Sequence, residues 1–198
     1  MKIFFSQILI FFLSLLIFSC SGDEDDGTSS ELPPITSEGL YTFGCKINGQ
    51  VFVPKNGDGW CLDCGPQMPL RLNYFQEGGD GQYILGIHAS NNINGDVRIY
   101  LNLYLDEPLE EKVYELSESH VASIDKIKAN ASACIYRKIS GEEINSCFVT
   151  TSDVTGTLEI LEINDVERFV AGVFQFQGIN QQGEIVNFTD GRFDIRMY

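Results

Sequence analysis

Basic residues are scarce in this chain, and their scarcity limits the kinds of partner that it can bind. The sequence has 13 Lys and Arg against 28 Asp and Glu, which gives a formal net charge of −15 at neutral pH. A surface of this sign repels the phosphate backbones of nucleic acids and the anionic surfaces of lipid bilayers. We therefore predict no nucleic-acid partner, and attachment to a membrane has to come from something other than a basic patch.

Histidine is almost absent, with two residues in the whole chain. His88 lies in the middle of a predicted strand and His120 lies in a polar stretch, and neither belongs to a recognisable nucleophile or metal-binding motif. Carboxylates are so numerous that no pair of them indicates glycosidase chemistry. The sequence therefore predicts no enzymatic activity, no catalytic residue, no cofactor and no bound metal.

The apolar run from Ile3 to Phe18 is shorter than the roughly 20 residues that a transmembrane helix needs. A basic residue, Lys2, precedes it and the small residue Ser19 follows it, which is the order found in secretory signal peptides. The segment Leu16-Ile17-Phe18-Ser19-Cys20 resembles the lipobox of bacterial lipoproteins. We predict that residues 1–19 are a cleaved signal peptide and that Cys20 carries the acyl chains that anchor the protein to a membrane.

An acidic run, Asp23-Glu24-Asp25-Asp26, follows the predicted anchor almost immediately. Ser21 is not an acidic residue of the kind that retains lipoproteins in the inner membrane, so the outer membrane is favoured. The run resembles the export signal that follows the lipidated cysteine of surface-exposed lipoproteins in Bacteroidota. We predict a domain on the cell surface, and the alternative is a solvated acidic linker with a domain that faces the periplasm.

Composition divides the rest of the chain into a tether and one domain. Residues 20–40 are rich in Asp, Glu, Ser, Thr and Pro, and Pro33-Pro34 stiffens them locally, so we predict a mostly disordered tether. Residues 41–198 have the size of a single domain. The chain is 43% hydrophobic and 12% aromatic, which is enough apolar material for that domain to form a core.

Apolar residues in this domain recur at every second position, as in half-buried antiparallel strands. The clearest stripe consists of Val97, Ile99, Leu101, Leu103 and Leu105. Further strands are predicted near 41–47, 69–76, 82–90, 112–116, 131–139, 142–150, 154–163, 167–177, 184–189 and 193–197. Dipeptides that suit tight turns lie between such runs, at Asn48-Gly49, Asn94-Gly95, Ser140-Gly141 and Asp190-Gly191.

Helical periodicity is confined to residues 117–130, and that segment is short. No long amphipathic helix is available to cover a parallel sheet. We therefore predict an all-β domain, an antiparallel meander that forms a β-sandwich or a flattened barrel.

The Ser140-Gly141 turn predicts a register that brings two cysteines together. With a two-residue loop, Ile139 faces Glu142, and counting outward places Cys134 opposite Cys147. This is a non-hydrogen-bonded pair whose Cα atoms lie about 4.5 Å apart, which is within disulfide range. We predict a Cys134–Cys147 disulfide, which an oxidising cell envelope permits.

Three further cysteines, Cys45, Cys61 and Cys64, remain to be assigned. Trp60 to Cys64 has the spacing of a thioredoxin-type redox motif, but that chemistry needs its first cysteine at a helix N-terminus, and the surrounding glycines and proline indicate a loop. A zinc site commonly needs two such pairs. The simpler prediction is a second disulfide, either Cys61–Cys64 or one of these two with Cys45, which leaves one thiol unpaired.

Aromatic side chains are candidates for a sugar- or peptide-binding face, and those considered are Trp60, Tyr74, Tyr83, Tyr100 and Tyr104. Strand parity places Tyr100 and Tyr104 opposite the Leu stripe. The competing interpretation is that both faces of the sheet are buried. We predict a non-enzymatic surface module that binds a glycan, a peptide or another outer-membrane protein. The alternatives are an accessory envelope protein without a small ligand and a cysteine-based redox or metal protein.

Two motifs near the ends of the domain are TFGCKINGQVFVPK over residues 42–55 and VNFTDGRFD over residues 186–194. They resemble a family of uncharacterised Bacteroidota lipoproteins, and the segments 156–160 and 173–176 share this resemblance. The match is weaker in the middle of the domain. The resemblance implies an envelope location and an all-β domain, and it implies no activity and no functional residues.

Overall fold

The computed structural model describes residues 31–55, 68–78, 81–91, 96–117, 129–139 and 142–197. Within these ranges the chain forms β-strands and no helix, which confirms the predicted all-β fold. The strands are β1 Thr42–Ile47, β2 Gln50–Phe52, β3 Leu70–Gln76, β4 Tyr83–Asn91, β5 Asp96–Leu105, β6 Val113–Leu116, β7 Ala129–Ile139, β8 Glu142–Val149, β9 Gly156–Asn164, β10 Phe169–Ile179 and β11 Ile185–Arg196.

The strands pair antiparallel in the order β2-β1-β11-β10-β8-β7-β5-β4-β3. In addition, β9 pairs with β10 along most of its length and β6 pairs with β9. A single residue pair, Ile179 with Val149, joins β10 to β8. The sheet therefore divides there into a first half, β2-β1-β11-β10-β9-β6, and a second half, β8-β7-β5-β4-β3.

The two halves curl toward each other into a half-barrel, which agrees with the predicted sandwich or flattened barrel. Opposite the β8–β10 junction, the backbone N–H of Lys55 donates to the carbonyl of Ser90 at 3.0 Å, and the Asn91 side chain donates to the carbonyl of Val53 at 2.9 Å. These hydrogen bonds connect the chain after β2 to the end of β4, so the two halves are linked on both sides.

The core lies between the two halves. Ile99, Leu101 and Leu103 of the predicted stripe are at most 1% exposed. The first half contributes phenylalanines, among which Phe176 and Phe188 stack with ring centroids 4.1 Å apart. Burying a side chain of this size stabilises the fold by about 1.5–3 kcal/mol. The alternation of apolar and polar residues along each strand therefore determines which face of the sheet turns toward the core.

Two of the predicted turn dipeptides lie in the described part of the chain, and they behave differently. Asn48 and Gly49 have φ angles of 47° and 83°, and they connect β1 to β2 as the predicted two-residue hairpin. The hairpin predicted at Asp190-Gly191 is wrong, because both residues lie inside β11. There the register against β10 shifts, and a β-carbon on Gly191 would lie 2.6 Å from the Phe174 ring. The dipeptide therefore forms a β-bulge.

Asn94-Gly95 and Ser140-Gly141 lie outside the described residues, as does most of the segment predicted to be helical. The last two residues of that segment, 129 and 130, begin β7.

Residues 31–40, which the sequence assigns to a disordered tether, pack on β1 and β11, and we call them the N-terminal strap. Asp194 in β11 is 1% exposed. Its carboxylate accepts hydrogen bonds from the Thr36 hydroxyl at 2.8 Å and from the backbone N–H groups of Glu38 at 2.9 Å and Gly39 at 2.7 Å. One buried carboxylate thus holds three donors of the strap.

Two further contacts position the strap. Arg192 and Arg196 donate to the carbonyls of Pro33 at 3.3 Å and Gly39 at 3.0 Å. A β-carbon on Gly44 would lie 2.7 Å from the Pro33 ring, so the glycine in β1 leaves the space that the proline occupies. The strap is therefore ordered by side chains of β11 that lie more than 150 residues away along the chain.

Candidate functional site: a polar groove

An open groove of about 580 Å³ crosses the outer face of the first half of the sheet. Four neighbouring strands, β6, β9, β10 and β11, form it. Its lining residues are Val113, Glu115, Thr155, Gly156, Thr157, Gln175, Phe176, Gln177, Asn187 and Thr189.

Strand alternation explains why polar side chains face this groove. Along β10, Phe174 and Phe176 are buried in the core, so Gln175 and Gln177 point to the opposite face and are exposed. The same alternation in β11 buries Val186 and Phe188 and exposes Asn187. The groove is thus the outward side of strands whose inward side is the core.

The register places these side chains beside one another across the sheet. Gln175 pairs with Thr157, and Thr157 pairs with Glu115. In the next row, Gln177 pairs with Asn187. Because adjacent strands lie about 4.8 Å apart, these side chains form a continuous set of donors and acceptors.

Gly156 lets β9 approach β10 closely at the floor of the groove. A β-carbon at this position would lie 2.2 Å from the β-carbon of Phe176 and 2.5 Å from the carbonyl oxygen of Gln175. A larger residue would therefore push the two strands apart.

Hydrogen bonding within the groove is incomplete. The Gln177 side chain donates to Asn187 Oδ1 at 2.7 Å. Within the described part of the chain, the side chains of Thr157, Gln175 and Thr189 have no hydrogen-bond partner in the protein. Their donors and acceptors are consequently available to a ligand.

The groove is nearly neutral, although the protein is strongly acidic. Glu115 is the one charged residue among its lining residues. Val113 adds an apolar surface, with 58% of the residue exposed. The arrangement can form hydrogen bonds to an uncharged polar molecule and contact its carbon-bound hydrogens, but it offers no basic group to an anion.

The structure separates the aromatic residues that the sequence singled out. Tyr100 and Tyr104 lie on the outer face of β5, opposite the Leu stripe, as predicted. Tyr100 is half-buried and stacks on His88 with ring centroids 4.6 Å apart. Tyr74 instead packs against the core and stacks on Tyr83. These four residues therefore do not form one binding face, and Trp60 lies outside the described residues.

The cysteines are placed as follows. Cys134 and Cys147 face each other in the predicted register and form the predicted disulfide, with Cα atoms 4.0 Å apart. Cys45 is a free thiol with no exposed surface. It points into the core from β1, and burial raises the pKa of this thiol above the usual range. Of the two alternatives for a second disulfide, Cys61–Cys64 stays a prediction. Cys20, Cys61 and Cys64 lie outside the described residues.

Other candidate groups do not form a chemical centre in the described ranges. No cluster of His, Cys, Asp and Glu suited to a metal ion is found there, and His120 falls outside them. In the same ranges, no helix is long and apolar enough to span a membrane.

A second cavity, of about 530 Å³, lies at the seam between the halves, between the strap and the start of β3. Apolar side chains dominate it, with Leu32 and Pro33 from the strap, Phe43 from β1 and Leu70 from β3. The strap forms part of the wall of this cavity. Beside the cavity, the Tyr41 hydroxyl donates a hydrogen bond to the Leu70 carbonyl. We interpret it as part of the packing that holds the strap.

The groove residues were not identified from the sequence, although one signal was present. In Phe174-Gln175-Phe176-Gln177 the outward positions are both amides, in a chain where 28 residues are acidic. An outward face of amides rather than carboxylates is the unusual feature. The pairing with Thr157 and Asn187 required the register of three strands, which the sequence does not provide.

Comparisons with protein-family models, with curated proteins and with solved structures found no match.

Proposed function

We propose that this protein is a non-enzymatic binding module, anchored to the outer membrane through Cys20, that holds a neutral glycan in the polar groove. The observation that carries the proposal is the neutrality of the groove, lined by amides and hydroxyls, on a protein with a net charge of −15. A groove for a cationic ligand would concentrate carboxylates, and a groove for an anion would contain Lys or Arg.

Glycan chemistry matches these side chains. Each sugar hydroxyl both donates and accepts hydrogen bonds, and each Gln or Asn amide offers two donors and an acceptor. The rows formed by Gln175 with Thr157 and by Gln177 with Asn187 present such groups in sequence along the groove. Val113, at one end, suits the apolar C–H face of a sugar ring.

The same residues support binding rather than cleavage. Glycoside hydrolysis ordinarily uses two carboxyl groups on either side of the bond that breaks. Glu115 is the single carboxylate that lines the groove. A redox function has less support, because the free thiol of Cys45 is enclosed in the core.

The test is affinity electrophoresis of the purified full chain through gels that contain mannan, dextran or soluble starch, with heparin as an anionic comparison. We expect at least one neutral polysaccharide to retard the natural chain, and heparin not to. Replacing Gln175 and Gln177 together by Ala removes two hydrogen-bonding side chains, each worth about 1 kcal/mol, so the affinity should fall about 30-fold.

The matched control is Gln182→Ala, which removes the same exposed side chain from the β10–β11 connection, outside the groove. It should bind like the natural chain. The proposal fails if no neutral polysaccharide retards the natural chain, or if both variants bind as well as it does. The first of these results would favour an accessory envelope role without a small ligand.

A further inference from the structure

β3 is the outermost strand of the second half of the sheet. Within the described part of the chain it pairs with β4 alone, over seven consecutive residues without a register shift. At the start of its other edge the Leu70 carbonyl accepts from the Tyr41 hydroxyl. Beyond Leu70, no strand of the described ranges pairs with the backbone donors and acceptors of this edge.

The hydrogen bonds to β4 identify which residues present these groups. The backbone N–H of Ser90 donates to the carbonyl of Pro69, and the N–H of Glu77 donates to the carbonyl of Gln82. Odd-numbered residues of β3 therefore bond to β4, since bonded and non-bonded pairs alternate in an antiparallel ladder. The even-numbered residues Leu72, Tyr74 and Gln76 direct their backbone groups to the open edge.

β8, which joins β10 by a single residue pair, is an open edge for most of its length and begins with two glutamates. Two further edge strands, β2 and β6, carry other features that block pairing, and β3 lacks all of these. β2 has three residues and is soon followed by Pro54, while β6 has four residues and carries Glu115. Short length, proline and charge are the usual protection of an edge. β3 contains no proline, no bulge and no acidic residue, and Arg71 gives it a positive charge in a chain of net −15.

We propose that β3 pairs antiparallel with β3 of a second copy of this chain, around a two-fold axis through Asn73. In this register Leu72 faces the partner's Tyr74, and the five residues 71–75 are paired, while the Leu70 carbonyl keeps its hydrogen bond from Tyr41. Phe75, which is 50% exposed, faces the partner's Arg71, an arrangement that allows a cation–π contact. No like charges face each other, so this segment is self-complementary although the two chains repel overall.

The pairing is independent of the proposed glycan groove, which lies on the other half of the sheet. It would join two second halves into one continuous sheet and leave both grooves open. A dimer with two grooves gains avidity for a repeating polymer.

Cysteine cross-linking in the membranes of cells that make the full chain tests both the contact and its register. Asn73 is exposed and would face the partner's Asn73 as a non-hydrogen-bonded pair, with Cα atoms about 4.5 Å apart. We expect Asn73→Cys to give a covalent dimer on mild oxidation, which a reducing agent reverses. The matched control is Arg71→Cys on the same face, because two copies of that position would lie about 13 Å apart.

Sedimentation of the purified full chain provides a second measurement. Phe75→Lys places a positive charge opposite the partner's Arg71 and should weaken self-association about tenfold. Val166→Lys makes the same change of charge at a residue that is 93% exposed in another part of the fold, and it should leave self-association unchanged.

Three results would overturn the pairing. The first is that Asn73→Cys gives no covalent dimer on oxidation and the natural chain also sediments as a monomer. The second is equal cross-linking of the Asn73→Cys and Arg71→Cys variants, which would indicate random collision. The third is a natural chain that self-associates no better than Phe75→Lys.

Discussion

The three hydrogen bonds that Asp194 accepts from the N-terminal strap make this residue the main determinant of whether the strap stays docked. Replacing Asp194 by Ala removes the acceptors of the Thr36 hydroxyl and of the Glu38 and Gly39 backbone N–H groups. A hydrogen bond to a charged group contributes about 1.5–3 kcal/mol, and a strap that undocks recovers part of this by exposing its donors to water. We expect Asp194→Ala to lower the free energy of unfolding by about 3 kcal/mol.

Two measurements check this expectation. Urea unfolding of the full chain gives the loss of free energy, and cleavage after Glu38 by a glutamate-specific protease reports undocking of the strap. Asp194→Asn should lose less, about 1 kcal/mol, because the amide keeps one acceptor and the same shape. In the natural chain the bond after Glu38 should be protected, and in Asp194→Ala it should be cut rapidly.

The control is Asp190→Asn, four residues earlier in β11. Asp190 is half-exposed and pairs with Lys46 at 3.0 Å, and its left-handed backbone suits Asn. This change should cost less than about 1 kcal/mol and leave Glu38 protected. If Asp194→Ala matches that control in both assays, Asp194 does not hold the strap.

Three further predictions concern the cysteines and the export of the domain. Replacing Cys134 and Cys147 together by Ser should lower the free energy of unfolding by about 3 kcal/mol, because their disulfide closes a short loop with a sequence separation of 13; an unchanged urea midpoint would contradict this. Burial raises the pKa of the Cys45 thiol, so the folded state loses stability as the pH rises above the unfolded value of about 8.5. The natural chain should therefore lose about 2 kcal/mol more than Cys45→Ala between about pH 8 and pH 10, and parallel pH profiles of the two proteins would refute it. Changing Asp23 to Asp26 to Ala should protect the domain from protease added to intact cells, whereas cleavage of both forms would show that this acidic run is not an export signal.

Local patterns predicted much of this fold because each of them is decided by neighbouring residues. The alternation of Ile99, Leu101 and Leu103 identified β5 and its buried face. The two-residue loop predicted at Ser140-Gly141 was sufficient to align Cys134 with Cys147, since loop length sets the register of a hairpin whose strands have no bulge.

Features that depend on distant contacts could not be predicted in the same way. Asp190-Gly191 has the composition of a hairpin turn, and the Phe174 ring on the neighbouring strand makes it a bulge. Pro33 and Gly39 lie in a stretch with the composition of a tether, and Arg192, Asp194 and Arg196 hold them in place. Tertiary contacts override local preference in both cases.

The candidate site shows the same limit. The exposed positions Gln175 and Gln177 follow from alternation, but their alignment with Thr157 and Asn187 is set by the registers of two strand pairs. The sequence offered aromatic residues as candidates, against the interpretation that both faces of the sheet are buried. The structure distributes these residues between the core and the outer face of β5.

The docked strap also limits the distance between the domain and the proposed lipid anchor at Cys20. If Cys20 carries the lipid, the chain between the bilayer and Glu31, the first strap residue, can span at most about 40 Å when fully extended. A freely flexible segment up to residue 40 would nearly double that distance. With that anchor, the proposed binding groove would lie close to the membrane surface, where it would meet polymers that lie along the envelope or reach down to it. By fixing ten residues to the domain, Asp194 would then set how far above the membrane the anchored protein can reach.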